Sequence, residues 1–328
     1  MENKDIFKTM EQDIQNANVD EATKQQLLKN VMKLKNEKIN LMITGATGSG
    51  KSSTINAMFN TEVAKVGTSP DPETMDIKKY ELDNLIIWDT PGLGDGKEKD
   101  IAHSKAIIKK LNELDEKGEP LIDLVLVILD GTSRDLGTSY ELINQVIIPN
   151  LGEKAEERIL IAINQADMAM KGRNWDYENN KPMPKLVEFL DEKVESVKRR
   201  VKEATGVNVE PIYYSAGYKD EEEFQRPWNL SKLLYYIVKN TPSKKRLSYA
   251  NNISQEKEMW QDDDELLDYK EEVQKSFVET VKECASKGAD IGGEIGSVFG
   301  KTGEVIGKAV GGVIGAGVGI VKSLFSWW

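Results

Sequence analysis

The chain has one cysteine, Cys284, and one histidine, His103, among 328 residues. A single thiol rules out an intrachain disulfide and gives no sign of an oxidising compartment, so the expected setting is cytoplasmic. A single imidazole excludes zinc sites built on several histidines and His-rich acid–base machinery. Positive charge is also short: 44 Lys and Arg face 55 Asp and Glu, for a net charge of −11. An acidic surface repels phosphate backbones, which disfavours nucleic acid or a ribosome as partner. The opening stretch MENKDIFKTMEQDIQ is charged throughout and lacks the apolar centre of a secretory signal. Ala309 to Val321 is uncharged but lies between Lys308 and Lys322, shorter than the roughly 20 residues a membrane-spanning helix needs.

What is present falls into three parts. Residues 1–37 read as an N-terminal helical segment, with Ile6, Phe7, Met10 and Ile14 on one stripe and Leu27, Leu28, Val31, Met32 and Leu34 on a second. A break is expected at Asn18 to Asp20. From Ile39 the period changes, and short apolar runs (Ile39 to Thr44, Leu85 to Asp89, Leu121 to Leu129, Arg158 to Asn164, Val209 to Tyr214) alternate with amphipathic helical stretches such as Ile101 to Leu114 and Leu186 to Ala204. Continuous apolar strands separated by helices are what a parallel sheet covered on both faces requires. Residues 38–245 are thus expected to form an α/β domain with a doubly wound, mostly parallel sheet, closed by a helix at Asn229 to Lys239. Residues 246–328 follow as a C-terminal helical region with a glycine-rich tail.

Gly45-x-x-x-x-Gly50-Lys51-Ser52 comes directly after the first strand and opens a helical pattern, which is the spacing and context of a phosphate-binding loop. Across Gly45, Thr47, Gly48, Ser49, Gly50, Lys51, Ser52 and Ser53, backbone N–H groups can turn inward to cradle phosphates. Lys51 reaches the β- and γ-phosphates, and Ser52 presents a hydroxyl to Mg²⁺. Leu85 to Trp88 runs into Asp89-Thr90-Pro91-Gly92, placing a carboxylate where it can hold Mg²⁺ through water and a bare Gly92 N–H near the γ-phosphate. Asn164-Gln165-Ala166-Asp167 ends another strand. A carboxylate there can accept both N1–H and N2–H of guanine, a pair of donors that adenine lacks, so Asp167 points to GTP rather than ATP. Ser215-Ala216-Gly217 closes a further strand, where small residues let a backbone N–H approach guanine O6.

With these motifs in place, residues 38 to 242 resemble the Ras-like P-loop GTPases of the translation-factor-related class. The likeness is greatest to the Era-like group and its bacterial ribosome-binding-type members, and weaker to immunity-related GTPases. The resemblance implies a Ras-like G domain that hydrolyses GTP to GDP with Mg²⁺. Gly45 to Ser52 match the family's first motif, Asp89 to Gly92 the third, Asn164 to Asp167 the fourth and Ser215-Ala216 the fifth. The second motif is a single threonine that ligates Mg²⁺, for which Thr74 is preferred over Thr68. Gln165 stands where the family usually has lysine, Gly48 where potassium-activated relatives have asparagine, and Leu93 where many have a water-positioning glutamine. A slow intrinsic rate is therefore expected, with the missing group supplied by a partner, a second copy or mobile loops. Asp95, Arg134 as a finger acting on a second copy, and His103 are the charged or polar candidates nearby. The alternative for each is an ordinary surface residue.

Gly288, Gly292, Gly296 and Gly300, then Gly303, Gly307, Gly311, Gly315 and Gly319, recur every fourth residue. On a helix this lines them along one stripe for close packing, a glycine zipper. Two uses fit: a helical hairpin packed on the rest of the chain or self-associating, or reversible membrane contact with Phe325, Trp327 and Trp328 at the headgroups.

Overall fold

A computed structural model describes residues 5–17, 20–61, 65–68, 77–219, 224–296, 319 and 321. The elements in chain order are α1 (Ile6–Asn16), α2 (Glu21–Asn36), β1 (Ile39–Gly45), α3 (Lys51–Met58), β2 (Lys65–Thr68), β3 (Lys78–Glu81), β4 (Leu85–Asp89), α4 (Lys97–Leu111) and β5 (Leu124–Asp130). There follow α5 (Gly137–Glu141), α6 (Ala155–Arg158), β6 (Ile159–Asn164), β7 (Trp175–Asp176), β8 (Lys181–Pro182), α7 (Pro184–Thr205), β9 (Ile212–Tyr213), β10 (Tyr218–Lys219), β11 (Phe224–Gln225), α8 (Leu230–Lys239) and α9 (Tyr269–Gly296).

Seven strands form one sheet in the order β2-β3-β4-β1-β5-β6-β9. β1 pairs in parallel with both β4 and β5, β5 with β6 and β6 with β9, while β2–β3 and β3–β4 are antiparallel. This is the doubly wound, mostly parallel sheet expected from the alternation of apolar strands and helices. Its centre shows why the strands carry no polar alternation. Along β5, Leu124, Leu126 and Ile128 enter the core shared with α1, α2, α8 and α9, and Val125, Val127 and Leu129 enter the core under α4 and α7. Both faces are covered, so every position must be apolar. Because β1 has its two neighbours on opposite sides, the chain reverses its winding direction there, and a crevice opens beyond the carboxyl ends of the strands.

Local chemistry sets the helix ends. Asp5 caps α1 by accepting from the N–H groups of Phe7 and Lys8, and Asp20 caps α2 by accepting from that of Thr23. α7 starts on Pro184 and stops at Gly206. α4 begins earlier than its apolar pattern implies, because its first turn, from Lys97, is charged and exposed. The strand expected over Val209 to Tyr214 shortens to β9, since Pro211 offers no N–H to the ladder. A π-helical turn at Leu142–Ile147 follows α5, and its Leu142, Ile143 and Ile147 side chains are buried.

α9 packs on α8, on α2 and on the 3₁₀ segment Ser243–Tyr249. Its Val273, Phe277 and Val281 join the core that holds Ile6, Phe7 and Ile14 of α1. Gly288, Gly292 and Gly296 lie in the last turns of α9. The rest of the glycine repeat from Gly300 to Gly315 lies outside the described residues, as does Thr74. Among the described residues no helix is long and apolar enough to cross a membrane.

Candidate functional site

The site sits at the carboxyl ends of β4, β1 and β6, where four of the expected motifs meet. Residues 46–50 turn from β1 into α3. Gly50 takes φ +87°, and a Cβ there would run into the Asn164 amide, so only glycine lets this turn close against the end of β6. Thr47 and Gly48 are exposed at the tip, and Ser52 and Ser53 lie exposed on the first turn of α3. Lys51 curls over its own loop, donating from Nζ to the carbonyls of Ala46 (3.1 Å) and Gly45 (3.3 Å). Burial lowers its pKa, and the nearby carboxylates of Asp89 and Asp95 oppose that shift. Behind the loop, Thr54 donates to the Gly50 carbonyl (2.9 Å) and shares a 2.6 Å hydrogen bond with Tyr214.

The Asp89 loop docks on this turn. The N–H of Thr47 donates to the Leu93 carbonyl (3.0 Å), that of Thr90 to the Ile43 carbonyl (3.0 Å), and the Thr90 hydroxyl to that of Thr44 (2.8 Å). Asp89 is buried, and burial pushes its carboxyl pKa up against the opposing charges of Lys51 and Lys78. Its Oδ1 and the Ser49 hydroxyl are buried without a hydrogen-bond partner. An orphaned carboxylate oxygen beside a lysine and a turn of backbone N–H groups fits a hydrated Mg²⁺ ion on a phosphate. Leu93 is buried in the core under α4.

His103 lies well inside α4 rather than at its start, and it is not a purely solvated helix residue. Its half-buried Nδ1 is 3.1 Å from the Gly92 carbonyl oxygen. Asp95 and Arg134 are exposed. The loop that carries Arg134 is held from below by Lys193, which donates to the carbonyls of Gly131 (2.6 Å) and Ser133 (2.7 Å).

Asn164 ties three motifs together: its amide donates to the Ser49 carbonyl (3.0 Å), and its Oδ1 accepts from the N–H of Ala216 (2.9 Å). Gln165, in the left-handed region at φ +59°, reaches the phosphate loop and donates to the Gly48 carbonyl (3.0 Å). Asp167 is buried, and its Oδ2 accepts a 3.2 Å hydrogen bond from Gln225. The N–H groups from which a donor to guanine O6 was expected are all engaged: Ser215 with the Trp228 carbonyl, Ala216 with Asn164, and Gly217 with the Ser215 hydroxyl. Tyr214, Lys193 and Gln225 are additions that motif spacing does not disclose.

Residues 40–165 match the model of the 50S ribosome-binding GTPase family. Two relatives from Escherichia coli K12 are similar: uncharacterized protein YkfA, 27% identical over 172 residues, and uncharacterized protein YfjP, 31% identical over 131. The matches cover 52% and 39% of this chain but only 55% and 41% of those relatives. The chain thus spans about half the length of the curated relatives it matches. Among solved structures, the G domain of the Thermotoga maritima FeoB iron transporter shares 18% identity at a TM-score of 0.33, covering 62% of this chain and 99% of its own. The LeoA bacterial dynamin GTPase from enterotoxigenic E. coli shares 14% at 0.38, covering 75% and 42%. Both likenesses are too distant to bear on function.

Proposed function

We propose that the chain, whose residues 40–165 match the 50S ribosome-binding GTPase family model, is an Era-like GTP switch. It would hydrolyse GTP to GDP and phosphate with Mg²⁺, and its nucleotide state would set the packing of α1, α2 and α9. The observation that carries this reading is the pair of orphaned buried polar atoms, Asp89 Oδ1 and Ser49 Oγ, beside Lys51, whose Nζ sits against the carbonyls of its own loop. When GTP enters, Lys51 exchanges the carbonyls of Gly45 and Ala46 for the β- and γ-phosphates and stabilises charge that builds on them as water attacks phosphorus and the β–γ bridging bond breaks. Ser52, Thr74 and, through water, Asp89 would hold Mg²⁺, which neutralises phosphate charge. The Gly92 N–H meets the γ-phosphate, and Asp167 accepts the two guanine donors. We draw the G domain as residues 38–245.

Leu93 cannot orient water from the core, so intrinsic turnover is slow, and a second copy of the chain or another partner completes the site. The same burial favours a second reading, a GTP-gated scaffold without turnover. Single-turnover GTP hydrolysis, followed over a range of protein concentration with Mg²⁺ or EDTA, separates these. Slow Mg²⁺-dependent cleavage supports the enzyme, and a rate that climbs with concentration identifies self-activation. Tight GTP binding with no cleavage leaves the scaffold, and equal affinity for ADP and GDP defeats both.

A further inference from the structure

We propose that Gln225 is a built-in competitor for the guanine site, its side-chain amide occupying the carboxylate oxygen of Asp167 that the base must take. The inference rests on the reading of Asp167 as the guanine acceptor. Guanine binds a carboxylate through two parallel N–H donors and needs both oxygens. In this structure Oδ2 already accepts from Gln225 Nε2 at 3.2 Å, and Asp167 is only 5% exposed. The amide is the same kind of donor as the exocyclic amine of guanine, a planar N–H₂ group directed at a carboxylate. Uncharged itself, it gives a contact that a base can displace.

The competitor is held in place by the fold. β10 and β11 pair Tyr218 with Gln225 across a short hairpin that starts immediately after the Ser215-Ala216 motif. Gly217, at φ +65°, lets the backbone of Gln225 pass so close that a Cβ would strike its carbonyl oxygen. On the other side, Arg226 donates through Nε to Asp262 (2.9 Å), and its carbonyl accepts from Asn180 (3.1 Å). Asp262 belongs to the acidic run Gln261 to Glu265, whose Asp264 also binds Lys232 (2.6 Å) of α8 and Tyr269 (2.8 Å) at the start of α9. Gln225 is therefore presented to Asp167 by a strand pair clamped to the helices behind it. The site is open to guanine only in the fraction of molecules in which the Gln225 amide has left Asp167, and apparent affinity falls by that fraction.

The test is GDP binding to the full chain with Mg²⁺, read by equilibrium titration and by stopped-flow with a fluorescent GDP analogue. Gln225→Ala and Gln225→Leu both remove the donor, and the leucine keeps the bulk. Each is expected to tighten GDP binding about fivefold, with the gain in the association rate and the dissociation rate unchanged. Arg226→Ala, which loosens the hairpin but keeps Gln225, should give a smaller gain of the same kind. If the two Gln225 variants bind GDP as the parent does, or more weakly through faster release, Gln225 is not a competitor. That outcome, in a parent that prefers GDP over ADP, defeats this inference alone. A parent without that preference defeats the guanine reading and the competitor together.

Discussion

Burial works against charge on Asp89, the residue proposed to meet the metal. Its carboxyl pKa is raised by burial, so the folded chain binds this proton more tightly than the unfolded one does, and the stability this group contributes at low pH is lost as pH rises through the folded-state value. Asp89→Asn should therefore unfold at the same or a higher urea concentration than the parent at neutral pH, while GDP affinity loses its dependence on Mg²⁺. Lys51→Ala should weaken GTP binding by about 2 kcal/mol or more in a titration, because no other described side chain of the loop brings positive charge to the phosphates. Asp167→Asn should exchange guanine for xanthine preference, measured as relative GDP and XDP affinity. The placement of Lys51, Asp89 and Asp167 at one end of the sheet was legible because each lies in a motif at or just beyond the end of an apolar strand. Gln225 was not, since it meets Asp167 across 58 residues from a charged stretch with no period. The left-handed backbone of Gln165 and its reach to Gly48 were equally hidden, because both depend on where the phosphate loop comes to rest.

The elements are joined at their opposite ends by a partly buried ion pair. Asp123, just before β5, accepts from the N–H of Asn40 in β1 (2.9 Å) and from Lys245 (2.7 Å) in the 3₁₀ segment after α8. Burial raises the Asp123 carboxyl pKa even with Lys245 in place. Lys245→Met removes the largest of the groups that oppose this, leaving a largely buried carboxylate with only the Asn40 N–H and the more distant charge of Arg158, and should cost about 3 kcal/mol at pH 7. The folded-state pKa then rises further, so the deficit should shrink as pH falls through it. Urea unfolding of parent and variant at pH 7 and pH 5 reads this directly, and a deficit independent of pH would point to lost packing instead. At this scale the sequence told most about β1, β5 and β6, whose apolar runs are buried on both faces, and about α7, bounded by Pro184 and Gly206. It told least about β9 and the first turn of α4, where a missing N–H and an exposed charged turn override the apolar pattern.

Across the whole molecule, α1, α2, one face of the sheet, α8 and α9 share one core. Phe277 of α9 is fully buried there, and Phe277→Ala should cost about 3–5 kcal/mol. Fluorescence from the six tryptophans and far-ultraviolet circular dichroism should report one coincident transition. GDP at a hundredfold over its Kd should return about 2.7 kcal/mol, if the domain that binds it unfolds with α9. Two separate transitions, only one of them moved by GDP, would show that α9 and the G domain fold independently. The capping of α1 also carries an order in time. The N–H of Ile6 donates to the side chain of Asn251, 245 residues further on, and Asn251 in turn donates to Asp5. At about 5–20 residues per second of synthesis, that partner is made roughly 10–50 s after the helix it secures. Through that interval Phe7, Met10 and Ile14 have no finished core to enter. α1 is thus made well before the residue that secures it, and a chaperone that binds short apolar helices has its opening there.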